Sequence, residues 1–366
     1  MRVLLVLGTS AGGVGRHVHD LVGGLVSAGH DIHVACPAEV GRRFAFAETG
    51  AEVTTVEFSD RPDPRTDVRA IAALRRLLPG ADVIHAHGLR AGGLAVLAGQ
   101  RLDVPLVVTL HNAAPEGRLL GAVYGVLERL VARGADLVLG VSRDLVERMR
   151  GLGAPGARLA VVPAPPARRA STDRYAVRAA LGLGPTAQLG VLVARLAPQK
   201  QVGLLLDALE AREAWDGLDV QFVVAGEGPE RGALEDRIRA TSVPVTLLGT
   251  REDVPDLLAA ADVVVSTARW EGQPVALQEA LHAGAAIVAT DAGGTGDVLG
   301  DAALLVRVGD ADALGRALRE VLVHGAVRDN LRSLATERAS ELPTSADALE
   351  AALTAYREVI DGRPKL

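Results

Sequence analysis

The stretch Ser266-Thr267-Ala268-Arg269-Trp270-Glu271-Gly272-Gln273-Pro274-Val275-Ala276-Leu277-Gln278-Glu279-Ala280-Leu281-His282-Ala283-Gly284, followed by the apolar run 285–289, is the most informative part of this chain. Proline suits the first position of a helix, where its missing N–H would be unpaired anyway, and glycine suits the position just past the end. The spacing therefore predicts a helix that opens at Pro274 and stops before Gly284, with Glu271 in the loop ahead of it and Glu279 on its body. A helix N-terminus offers free N–H groups and a partial positive charge, which attract phosphate. Carboxylates beside it are suited to accept hydrogen bonds from hydroxyls. Phosphate next to polyol is the chemistry of a nucleotide-sugar.

Working outward, short apolar runs alternate with amphipathic segments, the pattern of strand–helix units that build a parallel sheet buried on both faces. In the first half the predicted strands are Val3–Leu7, Ile32–Ala35, Val53–Val56, Val83–Ala86, Leu106–Leu110, Leu137–Val141 and Leu159–Val162. In the second half they are Leu189–Ala194, Val220–Ala225, Val245–Leu248, Val263–Ser266, Ile287–Thr290 and Ala303–Val306. Between the two sets lies Pro163-Ala164-Pro165-Pro166-Ala167-Arg168-Arg169, which cannot continue a helix or a sheet. The reading is an α/β chain of two Rossmann-like, doubly wound domains, residues 1–166 and 167–343, with a closing segment 344–366 that carries a helix over Ala346–Ile360. In open α/β sheets ligands bind at the carboxyl ends of the strands, so the two domains are expected to face a central cleft and line it with strand-end loops. Gly12, His87, His111, Arg195, Gly226 and Glu271 all follow predicted strands.

Composition sets the bounds. At 366 residues and 49% hydrophobic, the chain can fill two cores. A net charge of −6 argues against nucleic acid as a partner, because backbone phosphate binding needs clustered positive charge. Lys200 and Lys365 are the only lysines among many arginines, a bias that fits a GC-rich bacterial genome and makes a lysine inside a motif informative. Cys36 is the only cysteine, which excludes an intrachain disulfide and a cysteine cage for metal and points to a cytoplasmic setting. The opening run Met1–Leu7 is too short for a signal sequence, and no apolar stretch approaches the ~20 residues of a membrane span.

The motifs resemble those of the retaining glycosyltransferases of family four, the group 1 type with the GT-B fold, whose signature is a pair of glutamates separated by seven residues. Here Glu271-Gly272-Gln273-Pro274 and Glu279-Ala280 stand in that order, with Gln273 in place of the family's usual Phe. Val193-Ala194-Arg195-Leu196-Ala197-Pro198-Gln199-Lys200 resembles the diphosphate-binding segment, with Gln201 where the family usually has Gly. Val223-Val224-Ala225-Gly226-Glu227-Gly228-Pro229 resembles the strand-to-turn after it, and Gly12-Gly13-Val14-Gly15 the N-terminal glycine loop. Thr109-Leu110-His111 matches the Thr-x-His segment whose histidine approaches the reacting sugar, and Gly293-Gly294-Thr295-Gly296-Asp297 resembles the Gly-Gly-x-Pro-Glu turn.

The resemblance implies an enzyme that transfers a hexose-type sugar from a nucleoside diphosphate, UDP ahead of GDP, to an acceptor hydroxyl without metal or other cofactor. It implies that Arg195 and Lys200 neutralise the leaving diphosphate, that Glu271 faces the donor sugar and that Glu279 accepts from the ribose hydroxyls. Catalysis would rest on His111, Glu271, Arg195 and Lys200. Donor binding would add Gly12, Gly13, Gly226, Gly272, Gln273, Pro274, Val275 and Glu279. It also implies that the closing helix returns to the N-terminal domain, where the acceptor binds.

From spacing alone, Glu271 reads as a surface loop acid, Glu279 as a helix-face acid and His111 as a strand-end structural histidine. His85 and His87 share a strand face and with His111 raise a metal site, which no nearby carboxylate supports. A sugar-nucleotide epimerase on the same fold and a non-catalytic nucleotide-sugar-binding subunit are the alternative functions. The acceptor, whether small molecule, glycan or lipid, has no decisive motif. Arg42, Arg43, Phe44, Phe46 and the segment 118–133 are the candidates for peripheral contact with the inner face of a membrane.

Overall fold

A computed structural model describes residues 1–9, 13–59, 61–100, 102–113, 118–154, 156–184, 186–210 and 215–362, with the side chains of 118–120 excepted. Two compact units emerge: residues 1–163 together with 343–366, and residues 164–342.

The first unit is built on strands β1 (Arg2–Leu7), β2 (Asp31–Cys36), β3 (Glu52–Thr55), β4 (Val83–His87), β5 (Leu106–Leu110), β6 (Leu137–Gly140) and β7 (Arg158–Leu159). They form one parallel sheet in the order β3-β2-β1-β4-β5-β6-β7. The predicted strand Leu159–Val162 shortens to Arg158–Leu159 because β7 is an edge strand: Leu159 and Val161 are exposed and have no buried face to share. On one face of the sheet, Val3, Leu5 and Leu7 pack with Val18, Leu21, Val22 and Leu25 of the helix Gly13–Ser27. Ala352, Ala355, Tyr356 and Val359 of the helix Ser345–Asp361 join that core. Thr344 starts this last helix with a capping box, its hydroxyl accepting from Asp347 N–H while the Asp347 carboxylate accepts from Thr344 N–H.

The second unit holds β8 (Gln188–Val193), β9 (Val220–Ala225), β10 (Val245–Gly249), β11 (Val263–Ser266), β12 (Ile287–Thr290) and β13 (Ala303–Val306). This sheet is also parallel, in the order β10-β9-β8-β11-β12-β13. Residues of a strand alternate between faces, and β9 shows the result. Phe222 and Val224 enter the core with Leu205, Leu206, Leu314 and Leu318, while Val223 and Ala225 enter the opposite core with Leu257, Leu258 and Leu281. Each fully buried Leu or Phe contributes roughly 1.5–3 kcal/mol relative to exposure, so burial on both faces explains why these strands read as unbroken apolar runs. In both sheets the order reverses next to the first strand of the set, β1 or β8, which is where a doubly wound sheet opens a ligand crevice at its strand ends.

No helix among the described residues is long and apolar enough to cross a membrane. Phe46, expected as a membrane-facing residue, is instead fully buried in the first core, and Phe44 packs over Gly15, where a Cβ would lie 2.1 Å from its ring. An aromatic ring committed to a core is not available to lipid. In the helix Arg118–Gly134, Val123 and Val126 are exposed while Tyr124 and Val131 are buried.

Candidate active site

The second unit gathers its predicted residues on the loops after β8 and β11. After β8 the chain runs through Arg195 into a single 3-10 turn, Pro198–Lys200, and then into the helix Val202–Glu210. Gln201 joins the two in the left-handed region, φ +43 and ψ +45. That backbone explains the glycine usual at this position, since a non-glycine residue there costs about 1–2 kcal/mol. Lys200 Nζ forms an ion pair with Glu271 Oε1, tying this turn to the loop after β11. Around the pair, Thr267 Oγ1 donates to the Lys200 carbonyl (2.8 Å), Arg269 N–H to the Gln199 carbonyl (2.8 Å) and Gln199 Nε2 to the Trp270 carbonyl (2.8 Å). Arg195 is exposed, and its guanidinium has no hydrogen bond or ion pair among the described residues.

Two glycines let these loops come together. Gly226, at φ +147, donates its N–H to the Gly249 carbonyl (2.8 Å), and a Cβ there would sit 1.9 Å from the Ala194 carbonyl oxygen. Its role is close backbone approach beside the Arg195 segment. Gly293, at φ +58, would place a Cβ 2.3 Å from the Glu271 carbonyl oxygen, and Gly294 N–H donates to that same oxygen at 2.7 Å. The Gly-Gly turn therefore buttresses the Glu271 loop from below.

The helix carrying Glu279 spans Val275–His282, so Pro274 lies one place earlier than expected: it is the N-cap, and its carbonyl accepts from Leu277 and Gln278 N–H at 2.9 and 3.1 Å. Gly272 and Pro274 are buried and Val275 is exposed. Gln273 Oε1 accepts from Gln278 Nε2 at 2.7 Å, and Gln278 is fully buried. An amide at 273 thus satisfies a buried amide on the helix, a task an aromatic ring could not perform. Glu279 Oε1 accepts from Arg168 Nη2 at 3.1 Å, which brings in the proline-rich segment between the two strand sets. Residues 160–171 contain no helix or strand. Sequence reasoning assigned no role to Arg168, Gln278 or Thr267; the adjacency of Arg168 to the prolines was the only signal available.

The first unit presents a cluster of four histidines. His111 follows β5 and is 9% exposed; its Nε2 lies 3.1 Å from His87 Nδ1 at the end of β4. The rings of His17, His87 and His111 form a triangle with centroids 5.4–5.9 Å apart, and His85 lies 4.1 Å from His87. His85 is held at both nitrogens, by Tyr356 Oη and Thr109 Oγ1, each at 2.7 Å. Burial disfavours the imidazolium form throughout. It pushes His17 down to about 4 and His85 to about 3, and holds His87 and His111 well below the ordinary histidine range, with neighbouring histidines adding to the effect at the last three. All four are neutral at pH 7. Among the described residues, no group of three or more His, Cys, Asp or Glu is arranged to hold a metal ion. Gly12 lies outside the described residues, and Gly13 is the exposed first residue of the helix Gly13–Ser27.

Comparison with known proteins bears on both units. Residues 12–165 match the family described as glycosyl transferase 4-like domain, and residues 187–324 match glycosyl transferases group 1. The chain is 30% identical over 324 residues to the D-inositol 3-phosphate glycosyltransferase of Kineococcus radiotolerans, covering 77% of this chain and 72% of that protein. It is 29% identical over 245 residues to the putative teichuronic acid biosynthesis glycosyltransferase TuaC of Bacillus subtilis, covering 65% of this chain and 60% of that one. Among solved structures, that of Anabaena Alr3699/HepE in complex with UDP superposes with a TM-score of 0.80 at 20% identity, over 98% of this chain and 100% of the other.

Proposed function

The chain belongs to the glycosyl transferases group 1, with the GT-B fold, and on that premise we propose that it transfers a hexose-type sugar from a nucleoside diphosphate to an acceptor hydroxyl with retention of anomeric configuration. The bond between the anomeric carbon and the diphosphate oxygen breaks, negative charge gathers on that oxygen, and the acceptor oxygen bonds to the carbon. The proton of the acceptor hydroxyl passes to the leaving diphosphate on the same face of the sugar. Arg195 and Lys200 stabilise the charge as it develops, and their value is greatest where the site excludes water. Glu279 accepts from the ribose hydroxyls, Glu271 from the donor sugar, and the backbone N–H groups at the start of the helix Val275–His282 add to the phosphate site. His111, neutral, serves as a hydrogen-bonding contact to the sugar rather than as an acid. UDP is the favoured carrier, with GDP next; the UDP seen with the structurally similar HepE supports that order.

The observation that carries this reading is the Lys200–Glu271 pair, with Arg195 on the segment that leads to Lys200 and without an ion pair among the described residues. It holds a cation where a diphosphate would arrive, already compensated by the carboxylate assigned to the sugar. An incoming diphosphate then competes with Glu271 for Lys200 and frees the carboxylate for hydroxyls. A thermal-shift and turnover screen of UDP-, GDP- and ADP-sugars tests the proposal, because a bound donor raises the melting temperature by mass action. Nucleotide released only when acceptor is present separates transfer from epimerisation. A protein that binds the donor but never releases nucleotide would be a non-catalytic subunit.

A further inference from the structure

His87 is buried, ends β4, and has no part in the scheme above. Its Nδ1 is 3.1 Å from His111 Nε2, while its own Nε2 is buried without a hydrogen-bond partner among the described residues. One proton lies between Nδ1 and Nε2, because burial keeps both rings neutral. If His111 donated it, His87 would carry its own proton on Nε2, a buried N–H with nothing to receive it. Such a group costs the full desolvation penalty. If His87 Nδ1–H donates, the orphaned atom is only a bare lone pair. The hydrogen bond at one imidazole nitrogen decides which tautomer the other must adopt.

We propose that His87 is a positioning residue: its Nδ1–H donates to His111 Nε2, which fixes the His111 ring and leaves His111 with its proton on Nδ1, as a donor toward the sugar. The ring of His87 cannot easily turn away from this duty. It packs against His85, ring centroids 4.1 Å apart and planes tilted by 35°, and His85 is clamped by Thr109 of β5 on one side and by Tyr356 of the closing helix on the other. The packed core of the first unit thereby sets the hydrogen-bonding sense of a strand-end histidine. The role at the sugar rests on the transferase reading; the tautomer does not.

The test uses the whole protein with histidines labelled with nitrogen-15, the His111 signals being identified by their loss in His111→Asn. Long-range proton–nitrogen spectra should show the Nδ1–H tautomer at His111. His87→Leu should deplete it, and His87→Asn, whose amide can donate from nearly the same place, should restore it. In parallel, His87→Leu should lower kcat on the order of 10- to 100-fold with donor KM little changed, and His87→Asn should recover most of the loss. An Nε2–H tautomer at His111 in the unmodified protein overturns the tautomer assignment, and that spectrum needs no variant to fold. Depletion of the Nδ1–H form with kcat unchanged instead overturns the positioning role and removes His111 from the sugar.

Discussion

Lys200 and Glu271 come from loops 71 residues apart in sequence and meet as an ion pair, with the Lys200 carbonyl itself held by Thr267 Oγ1. Pairs that retain some solvent access contribute only about 0–1 kcal/mol to stability, so the pair is better explained by what it holds ready than by what it stabilises. Lys200→Ala and Arg195→Ala should each lower turnover by roughly 100-fold or more, the usual size of a lost charge-stabilising group, with melting temperatures close to that of the unmodified protein. Near-normal turnover in either variant on the true donor would remove that cation from the leaving-group site.

Arg168 occupies Glu279 Oε1, the carboxylate proposed to receive the ribose. Half of the Arg168 side chain is exposed, so the contact is worth at most about 1 kcal/mol. Arg168→Ala should therefore leave nucleoside diphosphate affinity unchanged or tighten it by up to about 5-fold. A large loss in calorimetric titration would instead make Arg168 part of the donor site.

Gln201 pays for a left-handed backbone and also buries its Oε1 without a partner among the described residues. Gln201→Gly removes both penalties, set against the roughly 0.5–1 kcal/mol of backbone entropy that glycine loses on folding. The variant should gain about 1 kcal/mol in urea unfolding. A destabilised variant would mean that the Gln201 side chain holds the turn through its packing.

The neutral histidine cluster makes stability depend on pH in a defined direction. His17 and His85, at about 4 and about 3 in the folded protein, and His87 and His111, also depressed, all lie below the ~6.5 of an unfolded histidine. Between those values the unfolded chain binds protons that the folded chain does not. The stabilisation is therefore complete above about pH 6.5 and is lost as pH falls below it, by up to about 1.4 kcal/mol per pH unit for each histidine. Urea midpoints measured at pH 7.5, 6.0 and 5.0 should fall in that order, and less steeply in His17→Leu. Equal midpoints at pH 7.5 and 5.0 would show that the cluster takes up protons without unfolding.

The strands were legible along the chain because a strand buried on both faces is apolar at every position, as Val3–Leu7 is, and because prolines at 163, 165 and 166 interrupt the pattern once. The edge strand β7 was over-read, since Leu159 and Val161 are apolar without being buried. The Lys200–Glu271 loops announced themselves through glycines and rare residue types. Arg168 and Gln278 did not, because one arginine among many and one glutamine on a helix read as solvated surface until the fold gives them partners. The histidine cluster was half visible: alternation places His85 and His87 on one strand face, but the arrival of His17 and Tyr356 depends on two helices docking on the sheet.

The central claim is that the two glutamates divide the donor, Glu279 taking the ribose and Glu271 the sugar. It is tested most directly by calorimetric titration of the nucleoside diphosphate, UDP first, into the unmodified protein, Glu279→Gln and Glu271→Gln. Glu279→Gln should weaken binding by about 1–3 kcal/mol, the size of a charge-assisted hydrogen bond. Glu271→Gln should bind as well as the unmodified protein or somewhat better, because it releases Lys200 to the diphosphate while transfer collapses. Equal loss of affinity in both variants would contradict the division and with it the proposed arrangement of the donor.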